Sequence, residues 1–195
     1  MKNTMIDYEG VRERFSRYIA IDTRANPQNS QVTPSSPGQL DLARLLYQEL
    51  QDIGLEAYLD EEHAYVYGHL AGNNADLPTI GFLAHIDTAP DMSGVTTEPQ
   101  IFTYEGGDIR LNDEFSIEVD SFPFLNDLIG EEIITSDGTA LLGADNKAGI
   151  VAIMEAVSYL IAHPEIERGD IAVAFTPDEE IGHGASLLDL ERFGA

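Results

Sequence analysis

The chain has 195 residues, with 35 acidic against 10 basic side chains, a formal charge of −25, and no cysteine. That balance disfavours nucleic acid and anionic lipid as partners, because both need a basic patch to meet phosphate. The missing thiols exclude disulfides and thiolate metal sites. A hydrophobic content of 43% is enough for a globular core, and no apolar run is long enough to span a bilayer. The N-terminus is charged throughout and lacks a signal-peptide pattern, so the expected compartment is the cytoplasm.

In chain order, Val11, Phe15, Tyr18 and Ile19 recur at three- and four-residue intervals and predict a helix over 8–21. Asn26-Pro27, Pro34 and Pro37 break regular structure, so 24–38 reads as a long surface loop. Leu42, Leu45, Leu46, Leu50 and Ile53 predict a second helix over 39–53, closed by Gly54. Strands follow near 55–60 and 65–70. The continuous apolar run 79–84 reads as a strand covered on both faces.

The stretch 91–130 is rich in Gly, Pro and Asp, with β-like pieces near 100–104 and 117–120. A hairpin is expected between 132–135 and Leu141-Leu142, turned by Ser136-Asp137-Gly138. An apolar helix is predicted over 147–162, a buried strand over 171–176 and an amphipathic helix over 185–193. Helices alternating with buried strands place the chain in the α/β class, and no linker marks a second domain.

Residues of catalytic type gather where apolar elements end. His85 and Asp87 follow one strand two positions apart, a spacing that sends both side chains to the same side. Taken alone, His85 reads as a structural histidine. Asp178-Glu179-Glu180 follow the other buried strand; three adjacent carboxylates repel one another, and a divalent cation would relieve that cost. Asp145 precedes an apolar helix, where an N-capping aspartate is the simpler explanation. Together the three pieces describe a histidine and carboxylate site suited to zinc, manganese or cobalt.

Ala-His-Ile-Asp-Thr at 84–88, Gly-Ala-Asp-Asn-Lys-Ala-Gly at 143–149 and Thr-Pro-Asp-Glu-Glu-Ile-Gly at 176–182 resemble, in order and spacing, the dinuclear metallopeptidase family that includes glutamate carboxypeptidase and the aminoacylases. Residues 87–94, Gly-Gly-Asp-Ile at 106–109 and the long separation of Asp87 from Asp145 are similar to its aminotripeptidase branch. The resemblance runs from the first helix to the last residue. It implies a partial three-layer αβα catalytic domain of a dinuclear zinc exopeptidase, a mixed sheet flanked by helices, with residues 1–195 as its N-terminal part.

The resemblance also implies roles. His85 and Glu180 would be terminal ligands of two divalent metals, zinc with manganese or cobalt as alternatives. Asp145 would bridge them, Asp87 support the His85 ring and Glu179 act as the general base. It implies a cis bond between Asp145 and Asn146, the latter standing where an aspartate is common in that branch. Two further ligands, an Asp and a His, would lie outside this chain. These residues alone are then expected to bind metal weakly and to be inactive, with apolar sheet edges inviting self-association.

The implied function is release of the N-terminal residue from tripeptides by two-metal hydrolysis. A carboxypeptidase or amide deacylase of the same family, and a non-catalytic acidic binding module, stand as alternatives. His183 lies close to Glu180 but matches no ligand of the family, and His63, His69 and His163 read as ordinary surface residues.

Overall fold

The computed structural model describes residues 7–92 and 95–195. Residues 1–6, on which part of the leader-peptide reading falls, and Ser93-Gly94, which close the 87–94 motif, lie outside the described residues.

Helix α1 (Tyr8–Ile19) starts where the Asp7 carboxylate accepts the Gly10 amide at 3.2 Å and buries Phe15, Tyr18 and Ile19. Helix α2 (Pro37–Asp52) begins two residues earlier than its apolar pattern suggests. Pro37 explains this: its fixed φ suits the first helical position, where an N–H would have no partner. Gly54, at φ +95°, ends the helix as expected. A hairpin of β1 (Glu56–Asp60) and β2 (Tyr65–Leu70) follows, then β3 (Ile80–His85).

Beyond the first core lie β4 (Gln100–Thr103), β5 (Ile109–Arg110), β6 (Ser116–Ile117) and β7 (Glu132–Thr135). Helix α3 (Ala144–Ala162), strand β8 (Ile171–Thr176) and the short helix α4 (Leu190–Phe193) complete the chain. No helix among the described residues is long and apolar enough to cross a membrane.

The main sheet runs β1-β2-β8-β3 and is mixed: β8 pairs antiparallel with β2 and parallel with β3. Its two faces follow from the period-two alternation of β8. Ile171, Val173 and Phe175 join the large core with Leu42, Leu46 and Leu50 of α2 and Ile150 and Met154 of α3. Ala174 packs on the opposite face with Tyr65, Tyr67, Leu188 and Phe193. The expected mixed sheet between helical layers is present, with α4 as the only helix assigned to the second face among the described residues. A separate cluster around Tyr104, Ile109 and Leu125 holds β4 to β7.

Four expectations need correction. The run 79–84 is not covered on both faces: β3 is an edge strand, and Ile80, Phe82 and Leu83 are 49%, 42% and 48% exposed. β7 pairs with β4 and not with Leu141-Leu142. The Ser136–Gly138 turn forms, but Leu142 goes to the main core and the Leu141 carbonyl accepts the Thr96 hydroxyl.

The last helix shrinks to one turn. The Tyr65 and Tyr67 hydroxyls take the Leu187 and Asp189 amides, and Asp189 caps the Arg192 amide, so the helix starts only at Leu190. Finally, the 24–38 segment is not wholly a surface loop. It contains a short 3-10 turn at Pro27–Asn29, and Ala25 and Ser35 are buried.

Candidate metal centre

Strands β3 and β8 lie side by side and parallel, with His85 opposite Thr176, so both deliver their following residues to one edge of the sheet. The Ile86 amide still reaches the Thr176 carbonyl at 2.8 Å. Ligands bind beyond the carboxyl ends of strands in such sheets.

His85 is 8% exposed. Its Nδ1 lies 3.0 Å from the Asp87 carbonyl and 3.3 Å from the Asp87 carboxylate. Its Nε2 lies 2.9 Å from an Asp145 carboxylate oxygen and 3.8 Å from Glu179. The fully buried Asp87 has a second task. Its two oxygens accept the amides of Glu179 and Glu180, each at 3.0 Å, which ties the end of β3 to the turn after β8.

That turn is a 3-10 element, Glu179–Ile181, and it sets the two glutamates beside the imidazole. One donor atom each from His85, Glu179 and Glu180 falls within 4.8 Å of the others. Asp145 reaches the same imidazole nitrogen from the start of α3. Gly143 takes a left-handed conformation, Asp145 and Asn146 depart from helical geometry, and the bond between them is cis, as the resemblance implies. Regular helix starts at Lys147. A Cβ on Gly149 would stand 2.1 Å from the Asn146 side-chain oxygen, so a larger residue there would force that amide to turn.

The electrostatics are those of a crowded anionic site. Burial disfavours the charged imidazole of His85, but the carboxylates of Asp87, Asp145 and Glu179 outweigh it and push the pKa up to about 9. Glu180 is raised, first by burial, with its acidic neighbours adding to the effect and His85 opposing it. Lys147 is buried beneath the site and donates to the Ile21 carbonyl at 2.8 Å. Burial brings its pKa down to about 8 against the pull of Asp22 and Asp87.

Among the described residues no arginine or lysine forms an ion pair with Asp145, Glu179 or Glu180. The side chain of Asp145 is 85% exposed. A set of hard oxygen donors around one imidazole nitrogen, with no arginine or lysine paired to them, fits a divalent cation. A cleft of about 430 Å³ opens at this point, lined by His85, Asn146, Thr176, Glu179 and Leu188.

All five residues singled out in the sequence therefore meet in one place, although Asp145 stands outside the tightest donor group. His63 pairs with Asp60, His69 faces Asp170, and His163 stacks on Tyr159. Sequence reasoning gave no separate role to Asp178 or Lys147 and did not single out Ser35 or Gln39. Asp178 is buried on Ser35 and Gln39, more than 130 positions away in sequence, and no local pattern connects them.

Residues 136–193 match the family described as peptidase family M20/M25/M40. The chain is 55% identical over 189 residues to a peptidase T of Desulfitobacterium hafniense, covering 95% of this chain and 46% of that protein. It is 50% identical over 199 aligned positions to a peptidase T of a Geobacillus species, covering 100% and 47%. The chain thus spans about half the length of these relatives. The crystal structure of aminopeptidase PepT from Bacillus cereus superposes with a TM-score of 0.64 at 25% identity, over 96% of this chain and 41% of that one. A metallo-carboxypeptidase of the M20 family from Sulfolobus solfataricus shares the fold, at TM-score 0.55 and 17% identity over 91% of this chain and 32% of that one. The chain carries a peptidase family M20/M25/M40 segment and is related over nearly its whole length to proteins named peptidase T.

Proposed function

We propose that this relative of peptidase T forms the N-terminal part of the catalytic domain of a cytoplasmic, metal-dependent aminopeptidase that releases the N-terminal residue from tripeptides. The observation that carries the reading is the convergence of His85, Asp145, Glu179 and Glu180 where β3, α3 and β8 meet, where among the described residues no arginine or lysine pairs with the three carboxylates. The identity to peptidase T of two organisms supports the substrate class.

In this reading His85 Nε2, Glu180 and Asp145 would hold two divalent ions, zinc with manganese or cobalt as alternatives. Bound there, the metals would supply Lewis acidity toward the scissile carbonyl and acidify the attacking water. Glu179 is more than half exposed and its carboxylate lies 3.8 Å from His85 Nε2, so it is placed to take the water proton and pass it to the departing amine. Asp87 keeps the imidazole and the glutamate turn in register through its contacts to both. Further Asp and His ligands come from outside these 195 residues, which then bind metal weakly and do not turn over by themselves. The apolar edge of β3 would drive self-association of the isolated segment.

The decisive variant is Glu179→Gln in the full-length protein. Tripeptide turnover should fall by about 10²–10⁴-fold, the usual worth of a positioned acid or base, while metal content stays unchanged. Undiminished turnover would remove Glu179 from the reaction. Tight stoichiometric zinc binding by residues 1–195 alone would contradict the division of ligands.

A further inference from the structure

Asp178 precedes the glutamate turn but contributes nothing to the donor group around His85. It is fully buried, and its backbone sits in the left-handed region at φ +53° and ψ +30°, uncommon for a residue with a side chain. Four hydrogen bonds fasten it. Its carboxylate accepts the Ser35 amide at 2.8 Å, the Ser35 hydroxyl at 2.5 Å and the Gln39 side-chain amide at 2.7 Å. Its own amide donates to the Gln39 side-chain oxygen at 3.0 Å.

The two Gln39 bonds close a ring, so the orientation of that amide is determined: oxygen to the Asp178 N–H, nitrogen to the Asp178 carboxylate. Three donors then converge on position 178, which suits an acceptor-only carboxylate. The Ser35 hydroxyl is itself positioned, accepting the Asn26 amide at 2.8 Å. Past Asp178 the bend is closed by His183 donating to the Asp178 carbonyl at 2.9 Å. The glutamate turn is therefore gripped twice, by Asp87 through its amides and by the 24–38 segment and α2 through Asp178.

We propose that Ser35, Gln39 and Asp178 are positioning residues for the metal centre: they hold the left-handed bend that turns Glu179 and Glu180 toward His85. The segment 24–38 thereby becomes part of the site's scaffold, and Ser35 transmits its placement to both glutamates. The consequence for catalysis rests on the aminopeptidase reading above; the bend and its clamp do not.

The test uses the full-length protein with Ser35→Ala, the hydroxyl-retaining Ser35→Thr, and Asp178→Asn. Three quantities are read: amide hydrogen exchange at Glu179 and Glu180 relative to β8, zinc affinity by calorimetry, and kcat and KM for a tripeptide. Ser35→Ala should accelerate exchange at the two glutamates while β8 is unchanged. It should weaken zinc by about 10–100-fold, the usual effect of removing a partner that orients a ligand. It should also lower kcat with little change in KM, and Ser35→Thr should restore all three. Asp178→Asn should be the more damaging change, since its single oxygen must face three donors.

Zinc affinity and local exchange equal to wild type in Ser35→Ala, with only a lower melting temperature, would overturn the proposal, as would Ser35→Thr being as impaired as Ser35→Ala. Should the unmodified protein cleave no tripeptide, the aminopeptidase reading fails, while exchange and zinc affinity still decide the positioning role.

Discussion

Strands β8 and β3 are neighbours of equal length and similar apolar composition, yet one is the centre of the molecule and the other its rim. Every residue of β8 is buried, because it has a strand on each side, α2 and α3 on one face and the Tyr65–Leu188–Phe193 cluster on the other. Among the described residues β3 pairs on one side only, and its middle is exposed; of its six residues only Ala84 and His85 are buried. Burial on β3 is thus confined to the end that holds His85 against Asp87 and Asp145, although the strand is otherwise open. An apolar run reports that a strand suits a sheet, and says little about how many neighbours it has there.

That contrast can be broken or sharpened by mutation. The largest effect is expected for Phe175→Ala in β8, which should cost about 3–5 kcal/mol in urea unfolding through loss of burial and a residual cavity. A cost under 1 kcal/mol would mean the centre of the sheet is far looser than its burial indicates. Asp87→Ala comes next. It strips acceptors from two amides at the end of β8, and should cost about 1–3 kcal/mol, with faster hydrogen exchange at Glu179 and Glu180. Phe82→Ala on β3 should cost only about 1 kcal/mol, in keeping with a side chain that is already half in water. A loss equal to that of Phe175→Ala would show that something covers this edge in solution.

The gentlest effect is a shift in a titration. In metal-free protein His85 should titrate near 9, followed by its imidazole proton signals, because Asp87, Asp145 and Glu179 favour the charged ring over the penalty of burial. A folded-state value above the unfolded one means that this interaction stabilises fully below about 6.5 and is lost as pH rises through about 9. Asp87→Asn should lower the midpoint. An unshifted midpoint near 6.5 would show that the acidic cluster does not act on His85.

Much of the fold was legible. Helices α1 and α2 and strands β1, β2 and β8 have local patterns strong enough to set their own class, and Gly54 marks the end of α2. The β4–β7 pairing was not legible, since the partner of β7 lies thirty-odd positions upstream and the intervening chain is irregular. The final helix was overread, because its periodicity is real but Tyr65 and Tyr67 take the amides before it can begin.

His85, Asp87, Asp145, Glu179 and Glu180 could be picked from the sequence because they sit at the edges of apolar elements and fall in three motifs whose order and spacing resemble those of one family. Their residue types alone determined that any chemistry here would be that of imidazole and carboxylate. Which of the three adjacent acids turns inward was decided only in three dimensions. In the acidic triplet 178–180, one member goes into the interior on Ser35 and Gln39, and the other two face His85. Adjacent identical charges carry no local signal to separate them. The difference comes from which hydrogen-bond donors the rest of the chain brings to each, and those donors lie on segments distant in sequence.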